Sequence, residues 1–327
     1  MAQQTALVLG ANGGIGSEVA RQLVAAGWQV RGLSRRAPDQ NKGDGIDWIQ
    51  GDAMAADAVR DAADGCAVIV HAVNPPGYRN WAGQVVPMLR NTIAAAEAAG
   101  ALVVLPGTVY NYGADAFPEV AADAPQHPAT RKGRLRVQME DELARFTERG
   151  GRALIVRAGD YFGPQAGANW FSQGLVKPGQ APARITYPGR AGIGHQWGYL
   201  PDIAATMLAL IARRDTLPAF ARYNMGGHWD ADGTAMTGAI VRVAARRGIA
   251  ATVAAFPWWL MRLGAPFNET LREIVDVRYL WQQPLRLNNA ALLAVLGTEP
   301  HTPLDIAVAR TLEGLGCLQP HRAWAPG

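Results

Sequence analysis

Residues 6–16 read ALVLGANGGIG (Ala6 to Gly16), and how this stretch is parsed decides the fold. Ala6 to Leu9 is an apolar run of the length of a buried parallel strand. It ends in Gly10, glycines recur at Gly13 and Gly16, and Ile15, Val19, Leu23 and Val24 follow at helical spacing. A strand, a glycine turn and a helix N-terminus in that order make an anion site, because free backbone N–H groups and the positive end of the helix dipole converge there. Glycine, lacking a Cβ, lets a pyrophosphate approach the main chain closely. The spacing Gly10-x-x-Gly13-x-x-Gly16 departs from G-x-G-x-x-G, so the reading rests on the strand before it and the helix behind it. Gly10, Ala11, Asn12, Gly13, Gly14, Ile15 and Gly16 are therefore candidate dinucleotide contacts; the alternative is a merely structural turn.

The helix expected from Ser17 to Ala26 closes at Gly27, and a second strand, Gln29 to Leu33, ends in Ser34-Arg35-Arg36. A dinucleotide fold holds the adenosine ribose at this point. An NAD site would carry Asp or Glu there, whereas a hydroxyl and two guanidiniums suit a 2′-phosphate. NADP is thus expected over NAD, against the alternative of a solvated loop with two chance arginines. After a short strand, Asp47 to Gln50, Asp52 beside Ala53 can accept a bond from an adenine amino group or cap a helix starting near Ala55. Ala67 to Ala72 is the next strand. It places His71, Ala72, Val73 and Asn74 at the sheet edge where ligands lie, although a lone histidine there is more often a packed, hydrogen-bonded residue than a catalyst. Asn74 to Gly77 is a rigid loop over the same edge.

A helix from Val85 to Ala99, a strand from Ala101 to Leu105, a charged helix from Arg131 to Arg149 and a strand from Ala153 to Arg157 complete the alternation. Thr108, Tyr110 and Tyr112 follow one of these strands as a polar cluster. Five strand–helix alternations predict a Rossmann-type α/β fold, a doubly wound parallel sheet with right-handed crossovers. Residues 1–158 are expected to form the dinucleotide-binding part, with 195–228 returning to it. Residues 159–194 and 229–327 are expected to form a smaller, mostly helical substrate part. Gly159 to Gly198 reads as a long glycine-, proline- and aromatic-rich loop with one short strand at Arg184 to Tyr187, and such loops are usually functional. Its aromatics Tyr161, Phe162, Trp170, Phe171 and Trp197, with Trp258, Trp259, Tyr279 and Trp281 further on, are expected to line a pocket or pack in the core.

Composition narrows the function. Of 327 residues, 49% are apolar and 18% charged, and the net charge of +4 is small and spread out. The densest basic patch, Arg131 to Arg136, sits in one helix, so nucleic acid is not expected as a partner. Two cysteines are too few for a disulfide framework or a cysteine metal site, and no metal is expected. The first strand begins within six residues, no apolar run reaches spanning length, and a cytoplasmic enzyme without membrane contact is expected.

The chain resembles the extended short-chain dehydrogenase/reductase family, the group containing NAD-dependent epimerases and dehydratases of nucleotide sugars. The likeness is carried by GANGGIG (Gly10 to Gly16), GDA (Gly51 to Ala53), VHAV (Val70 to Val73), TVYNYG (Thr108 to Gly113), RAGDYFGP (Arg157 to Pro164), YLPDIA (Tyr199 to Ala204) and LGTEPHTPLD (Leu296 to Asp305). The resemblance implies a catalytic Ser/Thr, a Tyr and a Lys, the last two spaced Y-x-x-x-K on one helix. Thr108 falls at the Ser/Thr position. No Y-x-x-x-K occurs, and the chain has only three lysines. Counting back from Glu140, which the family often carries on this helix, puts Arg136 at the lysine position and Lys132 at the tyrosine position.

Lys132, Arg136 and Glu140 lie at i, i+4 and i+8 and share a face. Arg136 is expected to bond the nicotinamide ribose. Lys132, its pKa lowered by that cation, is expected to donate a hydrogen bond or proton to a substrate oxygen. A solvated helix face, or a phenol acid at Tyr110 or Tyr161, is the alternative. The expected activity is an NADP-dependent oxidoreductase acting on a carbonyl or alcohol of a small molecule. Its rivals are a nucleotide-sugar epimerase or dehydratase with retained NAD(P), and a non-catalytic NADP-binding, redox-responsive protein. A homodimer through helices 85–99 and 131–149 is the expected assembly.

Overall fold

The computed structural model describes residues 4–36, 43–75, 81–165, 167 and 169–319, without the side chain of Ala82. The chain opens with β1 (Thr5–Leu9), α1 (Gly14–Ala25), β2 (Gln29–Ser34), β3 (Ile46–Gln50), α2 (Ala56–Ala63), β4 (Val68–His71) and α3 (Trp81–Ala99). It continues through β5 (Leu102–Gly107), β6 (Glu119–Val120), α4 (Arg131–Glu148), β7 (Arg152–Arg157), β8 (Asp160–Phe162), β9 (Arg184–Tyr187), β10 (His195–Tyr199) and α5 (Leu200–Ile211). The last stretch holds β11 (Phe220–Asn224), β12 (His228–Asp230), α6 (Ala235–Ala245), β13 (Thr252–Ala255), α7 (Trp258–Gly264), α8 (Glu269–Asp276), β14 (Arg286–Leu287), α9 (Ala290–Leu296) and α10 (Leu304–Gly314). Pro76 and Gly77 of the Asn74–Gly77 loop lie outside the described residues.

Seven strands pair in parallel in the order β11-β7-β5-β4-β1-β2-β3. Their sequences explain why they are central: β4 (VIVH) and β5 (LVVLPG) are buried at every residue, as strands covered on both faces must be. One face packs α1 and α5 through Val19, Leu23, Ile203, Met207 and Leu210. The opposite face packs α2, α3 and α4 through Val59, Leu89, Met139, Leu143 and Phe146. The result is a Rossmann-type, doubly wound α/β/α sandwich. Strand order reverses between β1 and β4, the place where such sheets open a crevice beyond their C-terminal ends.

α3 and α4 lie side by side, tied by Arg90–Glu142 at 2.7 Å and Arg149–Glu97 at 2.5 Å. Of residues 195–228, α5 packs on the main sheet and β11 joins its edge, while β10 pairs with β8 and β12 in a separate three-stranded sheet. The cover carries more strand than periodicity predicts, since β9 also pairs with β13 and β14 with β6. The stretch from Gly159 to Gly198 is accordingly not one loop; it contains β8, β9, most of β10 and a helical turn at Phe171–Leu175. Phe162, Phe171, Trp197 and Trp281 are buried in the cover's own core, whereas Trp259 is 64% exposed, against the expectation of a pocket or core position.

Two carboxylates fasten the C-terminal segment. Asp202 accepts from Thr302 N and Oγ1, both at 2.7 Å, and Glu299 accepts from the N–H groups of Gly226 and Gly227 at 2.8 and 2.7 Å. Asp202, His228 and His301 offer ligand-type atoms within 4.8 Å of one another, and both Asp202 oxygens also accept from Thr302. No helix among the described residues is long and apolar enough to cross a membrane.

Candidate active site

The glycine turn is built as its sequence suggests. Gly10 has φ +84°, and a Cβ there would sit 2.7 Å from the Ala72 carbonyl oxygen, so side chains are excluded on two counts. A Cβ on Gly16 would meet the Gly10 carbonyl at 2.2 Å, so this glycine lets α1 press against β1. Gly13 N donates to Gly10 O and Ser17 N to Gly13 O, each at 2.8 Å. The amides of Gly14, Ile15 and Gly16 open the helix and have no acceptor within it. Three such N–H groups at a helix start fit a dinucleotide's pyrophosphate.

A cavity of about 750 Å³ begins at this turn and runs to the cover. Gly10, Asn12, Gly13, Gly14, Ile15, Ser34, Arg35, Asp52, Ala53, His71, Ala72, Val73 and Asn74 line it, as do Thr108, Tyr110, Lys132, Arg136 and Tyr161. Three expected contacts do not. Ala11 is turned into the core, Gly16 packs helix against strand, and Arg36 is exposed, its carbonyl accepting from Ser34 Oγ at 3.0 Å. At the ribose end Asn12 donates to Ser34 Oγ at 2.7 Å, Ser34 and Arg35 line the cavity, and the two residues that follow β2 are arginines. Asp52 accepts from Met54 N at 2.9 Å and so holds a turn; Ala55, not Asp52, is the N-cap of α2.

His71, beside Leu9 in the β1–β4 register, bonds Thr92 Oγ1 through Nδ1 at 2.8 Å. Burial, then the Arg136 charge, pulls its pKa down to about 3, so it stays neutral in use.

The other end of the cavity is organised by α4. Thr130 caps it, accepting from Gly133 N at 3.0 Å, and Gly133 comes so close to Tyr110 that a Cβ would lie 2.2 Å from its carbonyl oxygen. That approach sets Lys132 Nζ 4.3 Å from the Tyr110 ring centre and 5.3 Å from that of Trp81, within cation–π range. Lys132 is only 6% exposed, so its helix face is not solvated. Burial first, then Arg136, lowers its pKa from 10.5 to about 7, against smaller opposite pulls from Glu273 and Asp160. Arg136 donates to Asn74 Oδ1 at 3.2 Å and lies over Trp81 at 5.1 Å, between the dinucleotide side and Lys132. Tyr161 gives its hydroxyl proton to Gly107 O at 2.9 Å, and burial raises its pKa beyond that of an ordinary phenol.

Glu140, third on the same face, turns into the core. It accepts from Asn111 Nδ2 at 2.9 Å, from Gln126 Nε2 at 2.7 Å and from both Nε and Nη2 of the fully buried Arg157. Asn111 Oδ1 in turn receives Thr108 Oγ1 at 3.3 Å, so the buried ion pair holds the hydroxyl at the cavity edge. Sequence reading missed Arg157, Asn111, Gln126 and the cavity residues Trp81, Asp160 and Glu273. A charged residue closing an apolar strand, as Arg157 does, is the signal that would have called for a buried carboxylate partner.

A nucleotide crevice at the switch point and a cationic pair facing a hydroxyl at its far end define a dinucleotide-dependent enzyme of the extended short-chain dehydrogenase/reductase type. Residues 6–226 match the model of the NAD dependent epimerase/dehydratase family, and the chain belongs to that family. A 2-alkyl-3-oxoalkanoate reductase of Shewanella oneidensis is 32% identical over 72 residues, 22% of this chain. The chain spans about a fifth of the length of that relative, 19%. The fold is shared with a UDP-glucose 4-epimerase of Thermotoga maritima, solved with UDP-glucose, at TM-score 0.72 and 14% identity, covering 95% of this chain and 98% of that one. It is shared too with a dTDP-glucose 4,6-dehydratase of Streptomyces venezuelae, solved with NAD and TYD, at TM-score 0.70, 18% identity, and 95% and 96% coverage.

Proposed function

We propose that the protein is an NADP-dependent oxidoreductase acting on a carbonyl or alcohol of a small molecule. The observation that carries this reading is the buried Lys132, which lines the dinucleotide cavity with a pKa of about 7. When bound, the nicotinamide cofactor supplies or accepts the hydride. The amides of Gly14, Ile15 and Gly16 would hold its pyrophosphate, and Ser34 with Arg35 the phosphorylated ribose. Asn74 and Arg136 face its far end, where Arg136 serves as the ribose contact and keeps positive charge near the reacting oxygen.

Thr108 Oγ1 hydrogen-bonds the substrate oxygen. Lys132 Nζ gives that oxygen its proton in reduction and takes it back in oxidation. A group titrating near the working pH is the efficient choice for that task. Trp170, Phe256, Ile274 and Val277 wall this end with apolar surface, which suits a carbonyl compound with a sizeable apolar body. The reductase named above is, by its name, specific for an alkyl-substituted oxoalkanoate, a carbonyl compound of this kind. A homodimer through α3 and α4 belongs to the same reading.

The test is NADPH oxidation over a panel of apolar ketones and aldehydes, followed with the native enzyme and Lys132→Met. Turnover that falls by about 10²–10⁴-fold in the variant, with NADPH affinity unchanged, is expected. Undiminished turnover would shift the acid role to Tyr110 or Tyr161. A dinucleotide that stays bound while a nucleotide sugar is isomerised would replace the reading with an epimerase.

A further inference from the structure

Asp202, His228 and His301 come together from three parts of the chain that are remote in sequence. Asp202 lies in the first turn of α5, on the main sandwich. His228 opens β12 in the cover, opposite Trp197 of β10. His301 lies in the segment between α9 and α10. Each presents one ligand-type atom to the other two, all within 4.8 Å. None of the three lines the dinucleotide cavity, so the cluster is separate from the site described above.

His228 is 7% exposed, and its Nε2 is buried without a hydrogen-bond partner. Its ring lies 5.7 Å from that of Phe162 and 4.5 Å from that of His301, centre to centre. A buried polar atom left unpaired costs free energy that a ligand returns. Burial, then the neighbouring His301, pulls the His228 pKa down to about 4, so the ring is neutral and one nitrogen carries a free lone pair. Asp202 is fixed from behind by Thr302 N and Oγ1, one bond to each oxygen. A carboxylate has about four lone-pair sites, so these two bonds orient the group and leave it able to bind, as outer partners do for a metal-bound carboxylate. Burial first, with the charge of Glu299 adding to it, raises the Asp202 carboxyl against the pull of Thr302 and His301. Glu299 is itself engaged by the Gly226 and Gly227 amides and by Asn289. Among the described residues neither carboxylate makes an ion pair, so the cluster is an acidic, partly buried place that lacks a counter-charge.

We propose that Asp202, His228 and His301 bind one zinc ion, with solvent in the fourth position. Two imidazoles and a carboxylate suit zinc, whereas magnesium and calcium take oxygen ligands. Tetrahedral bonds of about 2.0–2.2 Å set ligand atoms roughly 3.4 Å apart, so the cluster closes on the ion by about 1 Å. The exposed His301 supplies that movement by turning its side chain. The ion then ties the C-terminal segment to the sandwich and the cover at once, and a clip that closes long stretches of chain adds stability. The proposal does not depend on the reaction, and its test reads no turnover. The protein is stripped with a chelator and zinc chloride is titrated in by calorimetry. One ion per chain is expected, with no comparable heat from magnesium. His301→Ala should weaken zinc binding by about a hundredfold or more, and Thr302→Val, which removes one of the bonds orienting Asp202, by roughly tenfold. At a hundredfold excess of zinc over its Kd the native unfolding temperature should rise by roughly 5 °C. His301→Ala, with the native unfolding temperature in chelator as the measure of an intact fold, should not respond. His127→Ala breaks the exposed pair with Asp115 and controls for surface binding; it should bind zinc as the native protein does. No one-to-one zinc binding by the native protein, or equal binding of magnesium, overturns the proposal. So does undiminished binding by His301→Ala, or loss of binding in His127→Ala.

Discussion

Lys132 shows how one residue sets function against stability. Its folded pKa of about 7 lies below the 10.5 of an unperturbed lysine. Between these values the unfolded chain binds a proton that the folded one does not, so this group makes the fold more stable as pH rises through that window. Below pH 7 the whole penalty of burying an ammonium is present. Lys132→Met is therefore expected to gain about 1–3 kcal/mol in urea unfolding at mildly acid pH, the margin shrinking as the medium is made alkaline. In the native enzyme, kcat/KM for carbonyl reduction should fall with increasing pH above about 7, where Lys132 no longer carries the proton. Glu140 presents the opposite case. Its removal by Glu140→Ala leaves the fully buried Arg157 without a counter-charge and should cost about 3–5 kcal/mol in the same unfolding experiment. Turnover should drop as well, because Thr108 is held through Asn111, which Glu140 anchors.

At the scale of elements, α4 acts as a carrier whose position is fixed by one glycine. Gly133→Ala would set a Cβ 2.2 Å from the Tyr110 carbonyl, so the first turn of the helix must retreat and take Lys132 with it. Unfolding should show a loss of about 1–3 kcal/mol, and steady-state kinetics a fall in kcat of roughly tenfold or more. Nothing in the sequence singled out Gly133, since its tightest contact is with the carbonyl of Tyr110, remote in the chain. β1, β4, β5 and β7 of the main sheet were legible because both faces are covered and their apolar runs are nearly continuous. β8, β10 and β12 were not, because they are three to five residues long, mix histidine and aromatics, and find partners only in the folded cover. α3 begins at Trp81 rather than Val85, and so Trp81 was missed as the ring beneath Lys132 and Arg136. The glycine turn could be read from local spacing, and Thr108, Lys132 and Arg136 from the family resemblance. The pairing of Glu140 with Arg157 could not, because helix periodicity gives a face and does not say whether water or a strand end meets it.

Across the whole molecule the cavity joins parts that are remote in sequence: the turn at 10–15, the end of β2, the start of α4, and Trp170, Phe256 and Ile274 of the cover. A ligand filling it binds only the folded chain and must raise the unfolding temperature. At a hundredfold excess over its Kd the gain is about 2.7 kcal/mol, which for a chain of this size corresponds to roughly 5 °C. NADPH and NADH share every group except the ribose phosphate, so the difference between their shifts at equal concentration isolates Ser34 and Arg35. NADPH should give the larger shift. Arg35→Glu should bring it down to the NADH value or below, because a carboxylate repels the phosphate that the guanidinium held, and should leave the NADH shift nearly intact. Arg36→Glu, a charge change of the same size on a side chain outside the cavity, should alter neither shift by more than the weak effect of a screened surface charge. Equal shifts from the two dinucleotides in the native protein would remove the phosphate from the reading while leaving the glycine turn, and the family, in place.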